Sequence, residues 1–195
     1  RSGLAGQDGA THQGIFDISY LSHIPNMTVI APKNRYELSR AMEYAMDCSG
    51  PVALLYSRGS AYYGLKDIQK PFQKGKSEVL AKGEDVALIA VGNMVEEADK
   101  AFEQLQAEQK NITFVNARFV KPFDKELIDE LVKEHKTIIT LEEHIYQGGY
   151  GQMVAAYCME MGYQVQVKSI AIRDQFVEHG TVAQLRKQLG LDWES

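Results

Sequence analysis

Residues 86–91, Val-Ala-Leu-Ile-Ala-Val, are apolar without a break. A strand wetted on one side alternates apolar and polar side chains, so an unbroken run belongs to a strand covered on both faces, as in a parallel sheet. Such a sheet needs helices on each side, and helical spacing follows at once. Val95, Ala98, Phe102 and Leu105 share one helical face after Gly92-Asn93, with Glu96 read as the capping partner. The alternation then continues to the last residues. Residues 112–115 read as a strand, and Pro122 and Asp124 open a helix with Leu127, Ile128, Leu131 and Val132 inward. Residues 137–141 form the next strand, before a helix carrying Met153, Val154, Tyr157, Cys158 and Met161. A strand over 165–172 and a helix capped by Thr181 and Gln184, with Leu185 and Leu189 inward, complete the pattern. Strands alternating with helices of this length predict an α/β sheet with helices on both faces.

Residues 1–60 read as loop, helix, strand, helix, strand. The first helix puts Phe16, Tyr20 and Leu21 on one face and stops before Pro25. Residues 27–30 are a short buried strand. Asn34 and Glu37 have capping-box spacing, and Leu38, Ala41, Met42, Ala45 and Met46 make the stripe behind them. Ser49-Gly50-Pro51 ends that helix, and residues 52–56 are the next strand. Between 59 and 83 the periodicity fades, which predicts a connection without regular structure. The division expected is therefore 1–62, a linker over 63–83, and 84–195.

With 45% apolar and 24% charged residues, the chain has an ordinary globular composition. A net charge of -5 argues against a nucleic-acid surface, which needs clustered Lys and Arg. No apolar run approaches the roughly 18 residues of a membrane span, and no signal peptide opens the chain, so no membrane association is expected. Cys48 and Cys158 read as reduced, half-buried thiols, and no His or Cys spacing suggests a metal site. Both observations fit a cytoplasmic setting.

In open α/β sheets, ligands gather at the carboxyl ends of the strands. Ser57-Arg58-Gly59 follows one strand; Arg58 reads either as an anion anchor, since a guanidinium grips phosphate with two hydrogen bonds, or as half of a surface ion pair. Glu142-Glu143-His144 follows another strand. Neighbours on a strand point to opposite faces, so one buried and one solvated carboxylate are expected there, with His144 in a loop. Gly148-Gly149-Tyr150-Gly151 has the look of an anion cradle at a helix start. It lacks the spacing of a nucleotide fingerprint, so tight packing is the preferred reading. His179-Gly180 reads as a helix-start residue rather than a catalyst. The loop over 1–14 differs from these: Arg1, Asp8 and His12 stand among glycines with almost nothing to bury. Asp8 can accept from a hydroxyl, His12 can exchange a proton near neutral pH, and Arg1 can hold an anion.

Asp8-Gly9-Ala10-Thr11-His12-Gln13, followed by a helix and Ile24-Pro25-Asn26, resembles the thiamine-diphosphate transketolase superfamily. Arg1-Ser2-Gly3-Leu4, Gly14-Ile15-Phe16-Asp17, Tyr56-Ser57-Arg58-Gly59 and Ala117-Arg118-Phe119-Val120-Lys121-Pro122 narrow that resemblance. They are similar to the members that condense pyruvate with glyceraldehyde 3-phosphate, releasing CO2, to make 1-deoxy-D-xylulose 5-phosphate for isoprenoid and thiamine precursors. The resemblance implies a fold of two parts: a partial pyrimidine-binding domain, then an α/β sandwich of the transketolase C-terminal type. It implies that Arg1 and Arg58 bind the substrate phosphate and that Asp8 and His12 act catalytically near the reacting carbon. It also implies thiamine diphosphate and Mg²⁺ as cofactors of a homodimeric intact enzyme. The superfamily's Gly-Asp-Gly…Asn metal-diphosphate motif and its pyrimidine-activating Glu do not occur in this sequence. The chain is therefore expected to be the C-terminal part of a longer protein, and to bind no cofactor and turn nothing over by itself. Transketolase, the β subunit of a 2-oxo acid dehydrogenase, and a non-catalytic α/β assembly module remain as alternatives.

Overall fold

The apolar run forms β4 (Ala87–Ala90), all four of whose residues are buried. In a computed structural model that describes residues 1–195, β4 lies between β5 (Thr113–Asn116) and β7 (Thr137–Ile145), parallel to both. Burial on both faces is what an uninterrupted apolar strand requires, and its place at the centre of the sheet supplies that. The sheet has the order β3-β5-β4-β7-β8, with β8 (Gln166–Ile172) parallel to β7 and β3 (Glu78–Ala81) antiparallel to β5 at the opposite edge. A smaller sheet has the order β2-β1-β6: β1 (Thr28–Ile30) runs parallel to β2 (Val52–Leu54) and antiparallel to β6 (Phe119–Lys121).

Six α-helices accompany the sheets: α1 (Asp17–Ser22), α2 (Arg35–Met46), α3 (Val95–Ala107), α4 (Lys125–Glu134), α5 (Tyr150–Glu160) and α6 (Val182–Leu189). Their starts follow from side chains that satisfy free N–H groups. Asn34 accepts from Glu37 N, Asp124 from Leu127 N, and Thr181 forms a full capping box with Gln184. α3 departs from the expected pattern. It begins after a 3-10 turn at Gly92–Met94 without any side-chain cap. Asn93 instead donates its amide to Glu143, 2.6 Å away.

Three further expectations are corrected. On α1 the fully buried residue is Ile18, whereas Tyr20 is 55% exposed and donates its hydroxyl to Asp17. On α2 only Ala41 of the expected stripe is fully buried; Met42 and Met46 face outward, and Tyr44 packs on Phe72 and Phe119 instead. The stretch over 59–83 contains β3, a strand the sequence hides because Glu78 is buried within it. Burial of a charged residue defeats a search based on apolar alternation.

One apolar cluster runs through both sheets, with Ile18, Val29 and Leu55 packed among Ile89, Val91, Val115 and Val154. A second gathers Leu4 and Ile15 with Leu88, Phe114 and Leu185. Burying each large aliphatic side chain contributes roughly 1.5–3 kcal/mol. A buried ionic group bridges the sheets as well. Lys33 pairs with Glu78, and Arg118 with Glu37 (2.7 Å) and Glu78 (2.9 Å), all four side chains at most 3% exposed. Asn116 adds amide bonds to Glu37 at 3.0 and 3.1 Å. Two cations and two carboxylates cancel, which is the condition under which charges survive burial. Burial pushes the Glu78 carboxyl upward, but the Lys33 hydrogen bond, the Lys70 N–H and the Arg118 charge outweigh it and hold its pKa below normal. No helix is long and apolar enough to cross a membrane.

Candidate functional site

The loop over 1–14 closes on itself before it meets anything else. Gly3 and Gly14 exchange backbone hydrogen bonds of 2.9 and 2.7 Å, and Gly6–Asp8 forms a 3-10 turn. Gln13 fastens the interior: its Oε1 accepts from Ala5 N at 2.6 Å, and its Nε2 donates to Glu178 O at 3.1 Å. Gly3 cannot be replaced without strain. Its φ is +74°, and a Cβ there would sit 2.3 Å from a Glu143 oxygen.

Both strand-end places converge on this loop. Ser2 N donates to Tyr56 O, just past β2, at 2.7 Å. The Ser2 hydroxyl pairs with His144 Nε2 at 2.8 Å, and Leu4 N donates to Glu143 at 2.9 Å, both at the end of β7. The result is a cluster of Arg1, Asp8 and Arg58. Asp8 is ion-paired to Arg1 at 3.0 Å and, more closely, to Arg58, which also donates to Ala5 O at 3.3 Å. The Arg58 hydrogen bond is the chief reason the Asp8 carboxyl titrates below its ordinary range; the charges of Arg58 and Arg1 add to it against partial desolvation. Both arginines are nearly half exposed, so a solvent-borne anion can reach them. A cleft of about 360 Å³ opens beside Arg58, lined in part by Ser57, Ser60, Asn34 and Tyr62. His12 stands apart: it is exposed, and its ring nitrogen pairs with the Thr11 hydroxyl at 2.9 Å. The fold thus joins three of the four expected site residues and leaves His12 facing solvent.

Glu142 and Glu143 correct the expectation of one wet and one dry carboxylate: both are fully buried. They do face opposite ways, but both faces of β7 are covered at its carboxyl end. Glu142 lies under the start of α5 and accepts from Tyr150 N and Gly151 N, each at 2.8 Å. Burial without a cation raises its pKa to about 7, against the lowering effect of those two N–H bonds. The helix start at Gly149 is therefore occupied by the protein's own carboxylate, and Gly149 packs so tightly that a Cβ would lie 2.7 Å from Ile145 O. This matches the packing reading of the glycine cluster. Glu143 accepts from Leu4 N, Asn93 and, at 2.6 Å, Arg186 Nε. His144 is buried on β7 rather than placed in a loop, and desolvation lowers its pKa to about 3, so it stays neutral. His179 is exposed near the start of α6. Cys158 is buried, Cys48 half-buried, and both are free.

Sequence reasoning missed the layer beneath the loop: Gln13, Asn93, Glu143, His144 and Arg186. The strand-end rule does reach Glu143 and His144, but their partners lie between 43 and 142 residues away in sequence. Nowhere do three or more His, Cys, Asp or Glu converge as metal ligands.

Comparison with known proteins places these features in context. The family described as the transketolase pyrimidine binding domain matches residues 1–62, and the transketolase C-terminal domain family matches residues 75–195. The 1-deoxy-D-xylulose-5-phosphate synthase of Lachnoclostridium phytofermentans is 46% identical over 100% of this chain, which covers 31% of that protein. The synthase of Clostridium tetani is 45% identical, again over 100% of this chain and 31% of its own length. The chain thus spans about a third of the length of the curated relatives it matches. Among solved structures, a split-gene transketolase in an inactive β4 tetramer superposes with a TM-score of 0.85 at 29% identity, covering 95% of this chain and 59% of that one. A transketolase from Campylobacter jejuni shares the fold at a TM-score of 0.74 and 18% identity, covering 100% of this chain and 29% of that one.

Proposed function

The chain belongs to the transketolase family, and on that premise we propose that it is the substrate-phosphate half of a 1-deoxy-D-xylulose-5-phosphate synthase. The intact enzyme would condense pyruvate with glyceraldehyde 3-phosphate and release CO2. The observation that carries this reading is the pair of half-exposed arginines, Arg1 and Arg58, drawn to one point by Asp8 at the carboxyl end of the small sheet. Two guanidiniums at one spot suit a phosphate dianion, and fixing that tail orients the aldehyde for attack.

Asp8 would release its arginines to the phosphate and accept from a substrate hydroxyl, while His12, free of other duties, would donate to developing charge on the carbonyl oxygen. Thiamine diphosphate with Mg²⁺ would supply the decarboxylating and carbon–carbon-forming chemistry. Both would be held by residues outside this chain, whose sequence lacks the superfamily's Gly-Asp-Gly…Asn motif and its pyrimidine-activating Glu. The division proposed is a pyrimidine-domain portion over 1–62, a connection shorter than the one expected over 63–83, and a C-terminal domain that extends the expected 84–195 to take in β3, in keeping with the family match from residue 75. The inactive split-gene neighbour supports the further reading that this chain turns nothing over unaided. The intact enzyme would be a cytoplasmic homodimer; two free cysteines suit a reducing compartment.

A transketolase would take its two carbons from a ketose phosphate. Product analysis of the intact enzyme with glyceraldehyde 3-phosphate as acceptor separates the two. Pyruvate as donor yields 1-deoxy-D-xylulose 5-phosphate on the present reading. Turnover with a ketose phosphate and none with pyruvate would refute it.

A further inference from the structure

Resting on that reading, we propose that Glu143, in the second part of the chain, is a positioning residue for the phosphate anchor. It acts through the Leu4 amide and sets where Arg1 stands relative to Arg58. Glu143 touches no reacting atom. It lies at the end of β7, fully buried, beneath the loop that carries Arg1, Asp8 and His12.

Its carboxylate is spent on fixing neighbours. Oε2 accepts from Leu4 N at 2.9 Å and from Asn93 Nδ2 at 2.6 Å; Oε1 accepts from Arg186 Nε at 2.6 Å. The Gly3 α-carbon passes directly over Oε2, at a distance that leaves no space for a Cβ. Arg186 on α6, itself paired to Glu97 at 3.1 Å, holds the carboxylate in place. The amide two residues earlier is held from the other side, Ser2 N to Tyr56 O at 2.7 Å, and Tyr56 stands two residues before Arg58. The backbone that carries Arg1 is therefore held between the strand that carries Arg58 and the Glu143 carboxylate. A phosphate gripped by both arginines feels any shift of one against the other. Losing the Leu4 bond loosens residues 1–4 on the Glu143 side, and the change reaches Arg1 through the backbone and Arg58 through its bond to Ala5 O.

A hydrogen bond to a buried charge and sub-ångström placement of a binding group each carry at least a tenfold effect. The test is steady-state kinetics of the intact enzyme carrying Glu143→Gln, with Arg58→Ala in parallel. Expected for Glu143→Gln is a rise of about tenfold or more in KM for glyceraldehyde 3-phosphate, with KM for pyruvate within about twofold of the parent. The Leu4 amide should also exchange its hydrogen faster. If the two KM values rise together, Glu143 is merely structural and the proposal fails. If Arg58→Ala raises the aldehyde KM and Glu143→Gln does not, the phosphate reading stands and the positioning role falls. If neither moves it, the reading beneath both is wrong. Should Glu143→Gln not fold, an amide-to-ester replacement at Leu4 deletes the N–H, and one at Gly14, which removes the donor to Gly3 O, controls for the weakened Gly3 carbonyl; the same selective rise in aldehyde KM is expected for the Leu4 ester beyond that control, and its absence overturns the proposal.

Discussion

Asp8 carries two arginines and so decides what this site can hold before any substrate arrives. Its carboxylate cancels one of the two positive charges and stays ionised well into acid, because the Arg58 hydrogen bond holds its pKa down. An incoming phosphate meets one net positive charge rather than two. Removing that negative charge should favour anions, because charges a few ångströms apart still interact in water. Asp8→Asn is therefore expected to tighten inorganic phosphate binding by this chain about fivefold at low salt, read by calorimetric titration. Unchanged or weaker phosphate binding would mean that Asp8 organises the arginines more than it masks them. At this scale the sequence was legible where chemistry shows in residue type. Arg1, Asp8 and Arg58 stand out as polar groups among glycines and at a strand end. Gln13 and Arg186 did not stand out, and Glu143 stood out only as a strand-end acid, because their partners are assembled only by the fold.

The end of β7 is the element that supports the site, and it places two acids and a histidine where no water reaches. Strand alternation was read correctly in direction but not in consequence, since neither face of this strand end is open. The two buried groups next to each other respond oppositely to pH. His144, with its pKa lowered to about 3, costs stability as pH falls below 6.5. Glu142, with its pKa raised from 4.5 to about 7, is protonated in the folded state over that interval. Its contribution is complete below about 4.5 and is lost as pH climbs through about 7. Glu142→Gln keeps an acceptor for α5 and cannot ionise, and His144 cancels when variant and parent are compared. The variant should gain on its parent by about 3 kcal/mol between pH 4.5 and pH 8, followed by urea unfolding. A difference that stays flat with pH would show Glu142 ionised throughout, held by its two amide donors. Long, periodic elements such as β4 and α4 were legible because packing and pattern agree. β3 was not, because a buried carboxylate breaks the pattern that marks a strand.

Across the whole chain, the two sheets are bound together by more than a connecting segment. They share an apolar cluster, β6 crosses over to pair with β1, and the Lys33–Glu37–Glu78–Arg118 group spans the junction. None of that was visible in the sequence, where residues 1–62 and 84–195 read as separate rhythms. Crossing strands and compensated buried charges depend on tertiary placement rather than local spacing. Unfolding is expected to be a single transition. Arg118→Met, which leaves two buried carboxylates facing one lysine, should lower stability by about 3–5 kcal/mol. Fluorescence of Trp193 and far-ultraviolet dichroism should follow the same curve for parent and variant alike. Two separated transitions would show that the sheets fold independently. This rigid junction is also what lets Glu143, in the larger sheet, fix a loop that belongs to the smaller one.

The central claim is that this chain anchors the phosphate of the aldehyde substrate, and the most direct measurement is the pair of KM values of the intact enzyme with Arg58→Ala. Loss of a guanidinium gripping phosphate removes about 2–3 kcal/mol of binding. The account predicts that KM for glyceraldehyde 3-phosphate rises roughly 30-fold to 150-fold while KM for pyruvate stays within about twofold. An aldehyde KM equal to the parent's would contradict it.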